Sequence, residues 1–232
     1  AQLERRLGVR LFDRSSSGMR LSDAGNLLVG VSTRTIQALN DLGQHGIFVQ
    51  RVGVPRGIDR DTLDSLVHRF GAHVSFKPID SSRAEKLLGR EIDAAIVRGP
   101  LTLSQPHTTT EQLRTAPLGV LVQSDHHLAA QQQINWAELL GQSLLWFDER
   151  RAPEYAKWLL DYCRSRGWRP ELHRLDPAGS TLVANALRTS SSLVALQPQD
   201  PRPADGLTWV PLKDAPLEEL LLISTDHHFV RH

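Results

Sequence analysis

The chain has 232 residues, which is enough for one large domain or two medium-sized domains with real cores. Hydrophobic residues make up 40% and charged residues 23%, as in ordinary soluble globular proteins, and the net charge of +1 excludes a polycation whose whole surface binds nucleic acid. A single cysteine, Cys163, excludes an intramolecular disulfide and favours a reducing compartment, and no apolar run approaches the length of a membrane span.

The first 22 residues combine the end of a helix with a basic hairpin. Residues 1–7 are typical of the last two turns of a helix, which Gly8 closes with a positive φ. Residues 9–13 and 19–22 form two extended runs, and a polar turn at 15–18 joins them as in a β-hairpin. Basic residues outnumber acidic ones here, which is also the composition of any solvated surface hairpin. The arginines are Arg5, Arg6, Arg10, Arg14 and Arg20.

A long helix is predicted over residues 23–44, with Ser22 as its N-cap. Its apolar residues recur every three or four positions in a narrow stripe, as in a coiled-coil seam. The alternative is an amphipathic helix that lies on its own domain. Self-association is favoured, because a helix between two domains has little else to cover it. The stripe consists of Ala24, Leu27, Leu28, Val31, Thr35, Ala38, Leu39 and Leu42.

Strands and helices alternate through the rest of the chain, which predicts an α/β fold with parallel strands. The first block has strands at 48–54, 73–79 and 92–97, with helices at 58–71 and 83–89. The second block has strands at 118–123, 143–147, 171–174 and 193–196, with helices at 136–140, 153–167 and 180–188. Two further strands are predicted at 207–212 and 218–224.

Two sets of motifs resemble one known family. The string LERRLGVRLFDRSSSGMRLSDAG resembles the end of the winged helix-turn-helix of LysR-type transcriptional regulators, from the tail of the recognition helix to the start of the linker helix. The strings REIDAAIVRGP, APLGVLVQSDHHLA and SLLWFDERRAPEYAKWLLDYCRSRGWRP resemble the effector-binding domain of that family. The base-reading front of the recognition helix is not in the sequence, so this chain by itself is not expected to bind an operator.

The resemblance implies a fold, a domain plan and an assembly. Residues 1–22 would be the end of the recognition helix and the wing, and 23–45 the linker helix that dimerises the protein. Residues 46–232 would be an effector-binding domain with a periplasmic-binding-protein-like fold of two subdomains. Subdomain I would comprise about 46–118 and 211–232, and subdomain II about 119–210. Pairing of the sensor domains would extend a homodimer to a homotetramer, and the protein would be cytoplasmic.

Residues of the helix end and of the wing are the candidates for contact with double-stranded DNA. Arginine and serine side chains there would bind phosphate oxygens, which adds affinity and positioning but little choice of sequence. The candidates are Arg5, Arg10, Arg14, Ser15, Ser16 and Arg20.

Candidate effector contacts lie where strands end and helices begin, because open α/β sheets bind ligands at that edge. One loop, with Arg56, Gly57 and Ile58, offers a helix N-terminus to an anion, and a second loop supplies Phe147, Arg150 and Tyr155. By resemblance, Arg98 matches an arginine that lines the cleft in family members that sense aromatic acids. Asp80 follows the second strand and would repel a carboxylate, whereas Thr181 is a helix cap that also faces a cleft position. The expected effector is a carboxylate or an aromatic molecule. These nine candidates are Arg56, Gly57, Ile58, Asp80, Arg98, Phe147, Arg150, Tyr155 and Thr181.

The favoured interpretation is therefore a DNA-binding regulator whose two-lobed domain binds a small effector and alters promoter binding. A solute-binding protein without a DNA role is the alternative, but it would need an export signal and would not need a basic wing. An enzyme is not expected, because no catalytic constellation is found. No metal or cofactor is expected either. The two pairs of adjacent histidines, at 126–127 and 227–228, lack the spacing of a zinc site. Adjacent residues of a strand also point to opposite faces, so a pair on one strand would not bind one ion. Cys163 is interpreted as a core residue.

Overall fold

The N-terminal segment is a short helix, a hairpin and a long helix. A computed structural model of the chain describes residues 2–15, 18–45, 50–70, 74–105, 107–175, 180–199 and 204–225. Helix α1 spans Gln2–Leu7, strands β1 and β2 span Phe12–Ser15 and Gly18–Leu21, and helix α2 spans Asp23–His45. The carboxylate of Glu4 accepts the backbone N–H of Leu11 at 2.9 Å, and Leu11 is buried. This contact fixes α1 to the start of the hairpin.

Helix α2 begins with the predicted cap and packs closely on the hairpin. The hydroxyl of Ser22 accepts the N–H of Gly25 at 3.1 Å and donates to the carbonyl of Arg10 at 2.7 Å. A Cβ at position 25 would lie 2.1 Å from the carbonyl oxygen of Leu11, so only glycine allows this approach. The helix predicted over 23–44 is confirmed, and it ends one residue later than predicted.

The first half of the remaining chain contains strands β3 Gln50–Val54, β4 Val74–Pro78 and β5 Ala94–Arg98. Helix α3, Arg60–Phe70, and the short helix α4, Ala84–Leu87, connect them. Strand β3 pairs in parallel with both β4 and β5, as the alternating pattern predicts. The loops that follow these strands therefore meet at one edge.

The second half repeats this arrangement. Strands β7 Ser143–Trp146, β8 Leu172–Arg174 and β9 Leu193–Pro198 are parallel, with helices α5 Pro153–Ser165 and α6 Ser180–Arg188 between them. One-turn 3-10 helices at His127–Ala130 and Trp136–Leu139 precede β7, and another at Glu149–Arg151 precedes α5.

One long strand joins the halves. Strand β6 spans Thr109–Gln123, and β10 Leu207–Pro211 and β11 Leu217–Ser224 pair with it antiparallel. The order is β4-β3-β5-β11-β6-β9-β7-β8, with β10 beside β6. The expected parallel sheet is thus a mixed one, and the strand predicted at 118–123 begins nine residues earlier. Six of its first nine residues are polar and none of the nine is buried, so they contain no apolar run that would predict a strand.

Separate hydrophobic clusters support the two halves. Buried side chains of the first half group around Leu66, Ile96 and Leu222, with a second cluster around Ile92 and Val97. The largest cluster of the second half centres on buried aromatic and aliphatic side chains, including Trp136, Trp146, Leu159, Cys163 and Trp168. Within the described ranges, no helix combines the length and apolar character needed to cross a membrane.

Candidate functional site: a cleft between the two halves

A cleft of about 910 Å³ lies between the halves of the sheet. The first half contributes the segment that follows β3, the segment that follows β4 and the end of β5. The second half contributes the end of β7, the first turns of α5 and residues of α6 and β9. The ends of parallel strands from both halves therefore face the same space, as expected of an α/β ligand site.

Seven of the nine predicted effector contacts line this cleft: Arg56, Gly57, Ile58, Asp80, Arg98, Phe147 and Tyr155. Arg150 does not, because its side chain is 89% exposed and forms an ion pair of 2.7 Å with Asp148. Hydrogen bonds from Arg150 hold the pKa of the Asp148 carboxyl at about 2. Thr181 also lies outside the lining, although Leu182, the next residue of α6, lines the cleft.

Arg98 is the centre of a polar network on the first half's wall. Its Nη1 and Nη2 atoms donate to the carbonyl oxygens of Arg56 and Gly57 at 3.0 and 2.8 Å, and its Nε donates to Glu218 at 3.1 Å. The guanidinium also lies 6.0 Å from the centroid of the Tyr155 ring. Arg98 therefore holds the loop after β3 in place and is already paired with a carboxylate.

Glu218 joins the two walls of the cleft. Its side chain is only 4% exposed, and its Oε2 accepts the hydroxyl of Tyr155 at 2.7 Å as well as the Arg98 bond. Burial, followed by the charge of Glu218, raises the pKa of Tyr155 well above its ordinary value. The phenol is thus a neutral donor that ties α5 of the second half to β11 of the first.

A carboxylate of the chain itself occupies the helix N-terminus at which the sequence suggested an anion site. Asp59 Oδ1 accepts the N–H of Thr62 at 2.8 Å, and Asp59 Oδ2 pairs with Arg114 Nη1 at 3.1 Å. Burial raises the pKa of Asp59, but the bonds from Thr62 and the charge of Arg114 outweigh it, so that the pKa is lowered overall. Asp59 therefore caps this N-terminus with a negative charge of the protein itself.

Two more contacts bridge the halves beside the network. Glu154 Oε2 accepts the N–H of Thr102 at 2.9 Å, and Arg151 Nε lies 3.8 Å from Asp80 Oδ1. Together with the Tyr155 bond, they fix the start of α5 against the first half.

Sequence reasoning missed Glu218 and Arg114. A signal for Glu218 was present, because strand residues alternate and Glu218 lies in phase with the buried Leu220 and Leu222. Arg114 lies in the part of β6 that was not predicted as a strand.

A comparison with known proteins identifies the family to which this fold belongs. A family model described as the LysR substrate binding domain matches residues 50–223. The chain belongs to the LysR family. It is a ligand-responsive transcriptional regulator of that type, with the periplasmic-binding-protein-like fold that the sequence predicted.

Solved LysR-family structures are similar over nearly the whole chain. A full-length OxyR variant from Pseudomonas aeruginosa has 20% identity and a TM-score of 0.62, and covers 96% of this chain and 76% of its own. HinK, a LysR family transcriptional regulator from the same organism, has 18% identity and a TM-score of 0.61, and the match covers 96% of this chain and 78% of HinK. Full-length BenM has 17% identity and a TM-score of 0.61, with 99% and 81% covered. The alternative of a solute-binding protein finds no support in these comparisons.

The predicted DNA contacts lie in the N-terminal segment of this LysR-family chain. Arg5 is on α1, Arg10 precedes the hairpin and Arg20 is on β2, and all three are exposed. Arg14 and Ser15 are residues of β1, opposite Met19 and Gly18. Ser16 lies outside the described residues.

Two further side chains have structural roles. His126 lies in a turn rather than on a strand, and its ring stacks on that of His127 with centroids 4.3 Å apart, so the expected opposite orientation is wrong. Its Nδ1 accepts the N–H of Leu128 at 3.1 Å. The pair 227–228 lies outside the described residues. Cys163 is fully buried, as expected, and burial raises its pKa to about 12.

Proposed function

We propose that the cleft binds a small-molecule effector, and that its occupancy changes how the protein is placed on promoter DNA. The observation that carries the proposal is the cleft itself, with polar groups from both halves around about 910 Å³. Apolar and aromatic side chains on the second half favour an effector with an aromatic or apolar body. The engagement of Arg98 by Glu218 argues against a carboxylate as the group that Arg98 binds.

Strand β11 offers a physical connection from the cleft to the linker helix. Glu218 lies near one end of β11, and Thr225 follows its other end. Arg34 of α2 donates to the hydroxyl of Thr225 at 3.4 Å. A Cβ at Gly30 of α2 would lie 3.3 Å from the carbonyl oxygen of Gly89, so the helix approaches this edge closely. An effector that favours one arrangement of the halves would bias the position of α2.

Self-association through α2 is part of the proposal, as a homodimer or homotetramer. Three side chains of the predicted seam are 43–61% exposed in the single chain: Leu27, Val31 and Leu39. A second copy of α2 would cover them. Leu27→Glu with Leu39→Glu should lower the mass measured by analytical ultracentrifugation. Val67→Glu, at an exposed position of α3, is the matched control and should not.

The remaining assignments follow the same proposal. Residues 1–22 end a winged helix-turn-helix, 23–45 form the linker, and 46–232 form the effector domain. Its subdomain I is 46–118 with 211–232, and its subdomain II is 119–210. Separate hydrophobic clusters in the two halves support that division. The protein works in the cytoplasm, where its DNA is, and regulates without catalysing a reaction.

Mapping of bound DNA in the cell tests the function. A tagged copy is expressed from its native gene, and the bound DNA is sequenced after cross-linking. We expect discrete promoter sites, which are lost in Arg10→Ala with Arg20→Ala because phosphate contacts are removed. The control, Arg60→Ala with Arg90→Ala, removes two exposed arginines outside the wing and should retain the sites. Absence of discrete DNA sites in the wild type would contradict the proposal.

A further inference from the structure

The two walls of the cleft differ in chemistry. The second half presents apolar and aromatic side chains, among them Leu144, Trp146, Phe147 and Leu182. The charged side chains of the lining belong to the first half, with the exception of Arg151. A ligand that fits both walls has an apolar body against the second half and a polar head against the first.

Six of the seven charged side chains that line the cleft are balanced in pairs, and Arg56, which is exposed, is the seventh. Asp59 pairs with Arg114 at 3.1 Å, Glu218 with Arg98 at 3.1 Å, and Asp80 faces Arg151 at 3.8 Å. A carboxylate placed beside Glu218 would meet a like charge whose arginine is already engaged. An ammonium group would meet the guanidinium groups of Arg98 and Arg114. Beside Glu218, either charge would have to disrupt an existing pair.

One acceptor in this wall still has capacity. Glu218 Oε2 accepts two hydrogen bonds, but among the described residues no hydrogen bond reaches Oε1. The nearest cation is Arg114 Nη2, 3.9 Å from Oε1, which exceeds hydrogen-bond length. Glu218 is almost fully buried, so a partner for Oε1 has to come from the cleft.

Arg114, whose Nη2 is the cation nearest to Oε1, also has a donor with unused capacity. Arg114 lines the cleft, and its Nε is buried without a hydrogen-bond partner in the described part of the chain. Buried polar groups are normally satisfied by protein, water or ligand. The 3.9 Å between Arg114 Nη2 and Glu218 Oε1 suits one polar group that accepts from the arginine and donates to the carboxylate.

We propose that the cleft selects an uncharged head that both donates and accepts hydrogen bonds, an amide or a hydroxyl, on an aromatic or apolar body. Glu218 is the residue that excludes carboxylates. This inference rests on the proposed function, since it names the effector class of the same cleft.

Three probes with one ring system and different heads test the selection: 2-naphthamide, 2-naphthoate and 2-naphthylmethylamine. Affinity is measured by calorimetry and thermal shift on the whole chain. We expect the amide to bind at least about 10-fold more tightly than either charged probe. This ranking in the wild type needs no variant. Glu218→Gln should reduce the ratio of amide affinity to carboxylate affinity several-fold, because 2-naphthoate then binds more tightly. Glu219→Gln, an exposed neighbour on the opposite face of β11, should leave it unchanged.

Three results would overturn the inference: naphthoate binding the wild type as tightly as the amide, an unchanged ratio in Glu218→Gln, or no binding by any of the three probes. The DNA sites mapped in the cell do not depend on any of these results, so the proposed function is tested separately.

Discussion

The ion pair between Arg98 and Glu218 should contribute strongly to stability, because it is buried between the halves. The side chains are 18% and 4% exposed, and Arg98 also holds two loop carbonyls at 2.8 and 3.0 Å. Arg98→Met leaves the buried Glu218 with the Tyr155 hydrogen bond and with Arg114 Nη2, which lies 3.9 Å from its Oε1. Removal of one partner of a buried pair costs about 3–5 kcal/mol. Because Arg98 is partly exposed, we expect a cost at the lower end of this range, about 3 kcal/mol.

The assay is a double-mutant cycle in urea and by thermal melting. Arg98→Met should lower Tm by about 6–12 °C, since 1 kcal/mol corresponds to about 2–4 °C for a chain of this size. Glu218→Gln removes the charge that Arg98→Met leaves unpaired, so the double variant should be more stable than the sum of the single effects predicts. The control cycle uses Lys157 and Asp161, a pair on α5 with 80% and 41% exposed side chains.

The coupling free energy of the control pair should lie within measurement error, because exposed pairs are screened by water. Equal coupling in the two cycles, or a change of less than about 1 kcal/mol for Arg98→Met, would refute the reasoning.

Three further predictions concern packing, reactivity and pH. Gly119→Ala should destabilise the chain by about 1–3 kcal/mol in urea, because a Cβ would lie 2.3 Å from the Trp209 ring; an unchanged midpoint would contradict this close contact. Cys163 should resist a thiol reagent at pH 8 until urea is added, since burial raises its pKa to about 12, and rapid labelling of the native chain would show otherwise. Burial lowers the pKa of His126, so the unfolded chain binds the proton more tightly and Tm should fall as pH drops below about 6.5. His126→Asn, which retains an acceptor for the Leu128 N–H, should reduce that pH dependence. An equal fall of Tm in the wild type and the variant would show that another group causes the pH dependence.

Local signals were sufficient for the N-terminal segment. Ser22 precedes the long helix and caps it, and Gly8 takes the positive φ of 69° expected where α1 ends. Each of these features depends on a few neighbouring residues, which is why the sequence predicts them.

Features that depend on distant strands were harder to predict. The position of Arg98 at a strand end was predicted, but its bond to Glu218, 120 residues away, requires the order of β5 and β11 in the sheet. The start of β6 has no apolar run, so the pattern predicts no strand there. Alternation along β11 did place Glu218 on the buried face, so a search for acidic residues in phase with buried leucines would have found it.

The central claim is that a ligand in the cleft changes promoter binding. The most direct measurement is the affinity and footprint of the natively encoded protein on a promoter mapped in the cell, with and without saturating 2-naphthamide. The account predicts a change in affinity of at least about fivefold or a shifted footprint, because effector and DNA binding are coupled. Identical affinity and footprint, with calorimetry showing that the probe is bound, would contradict it.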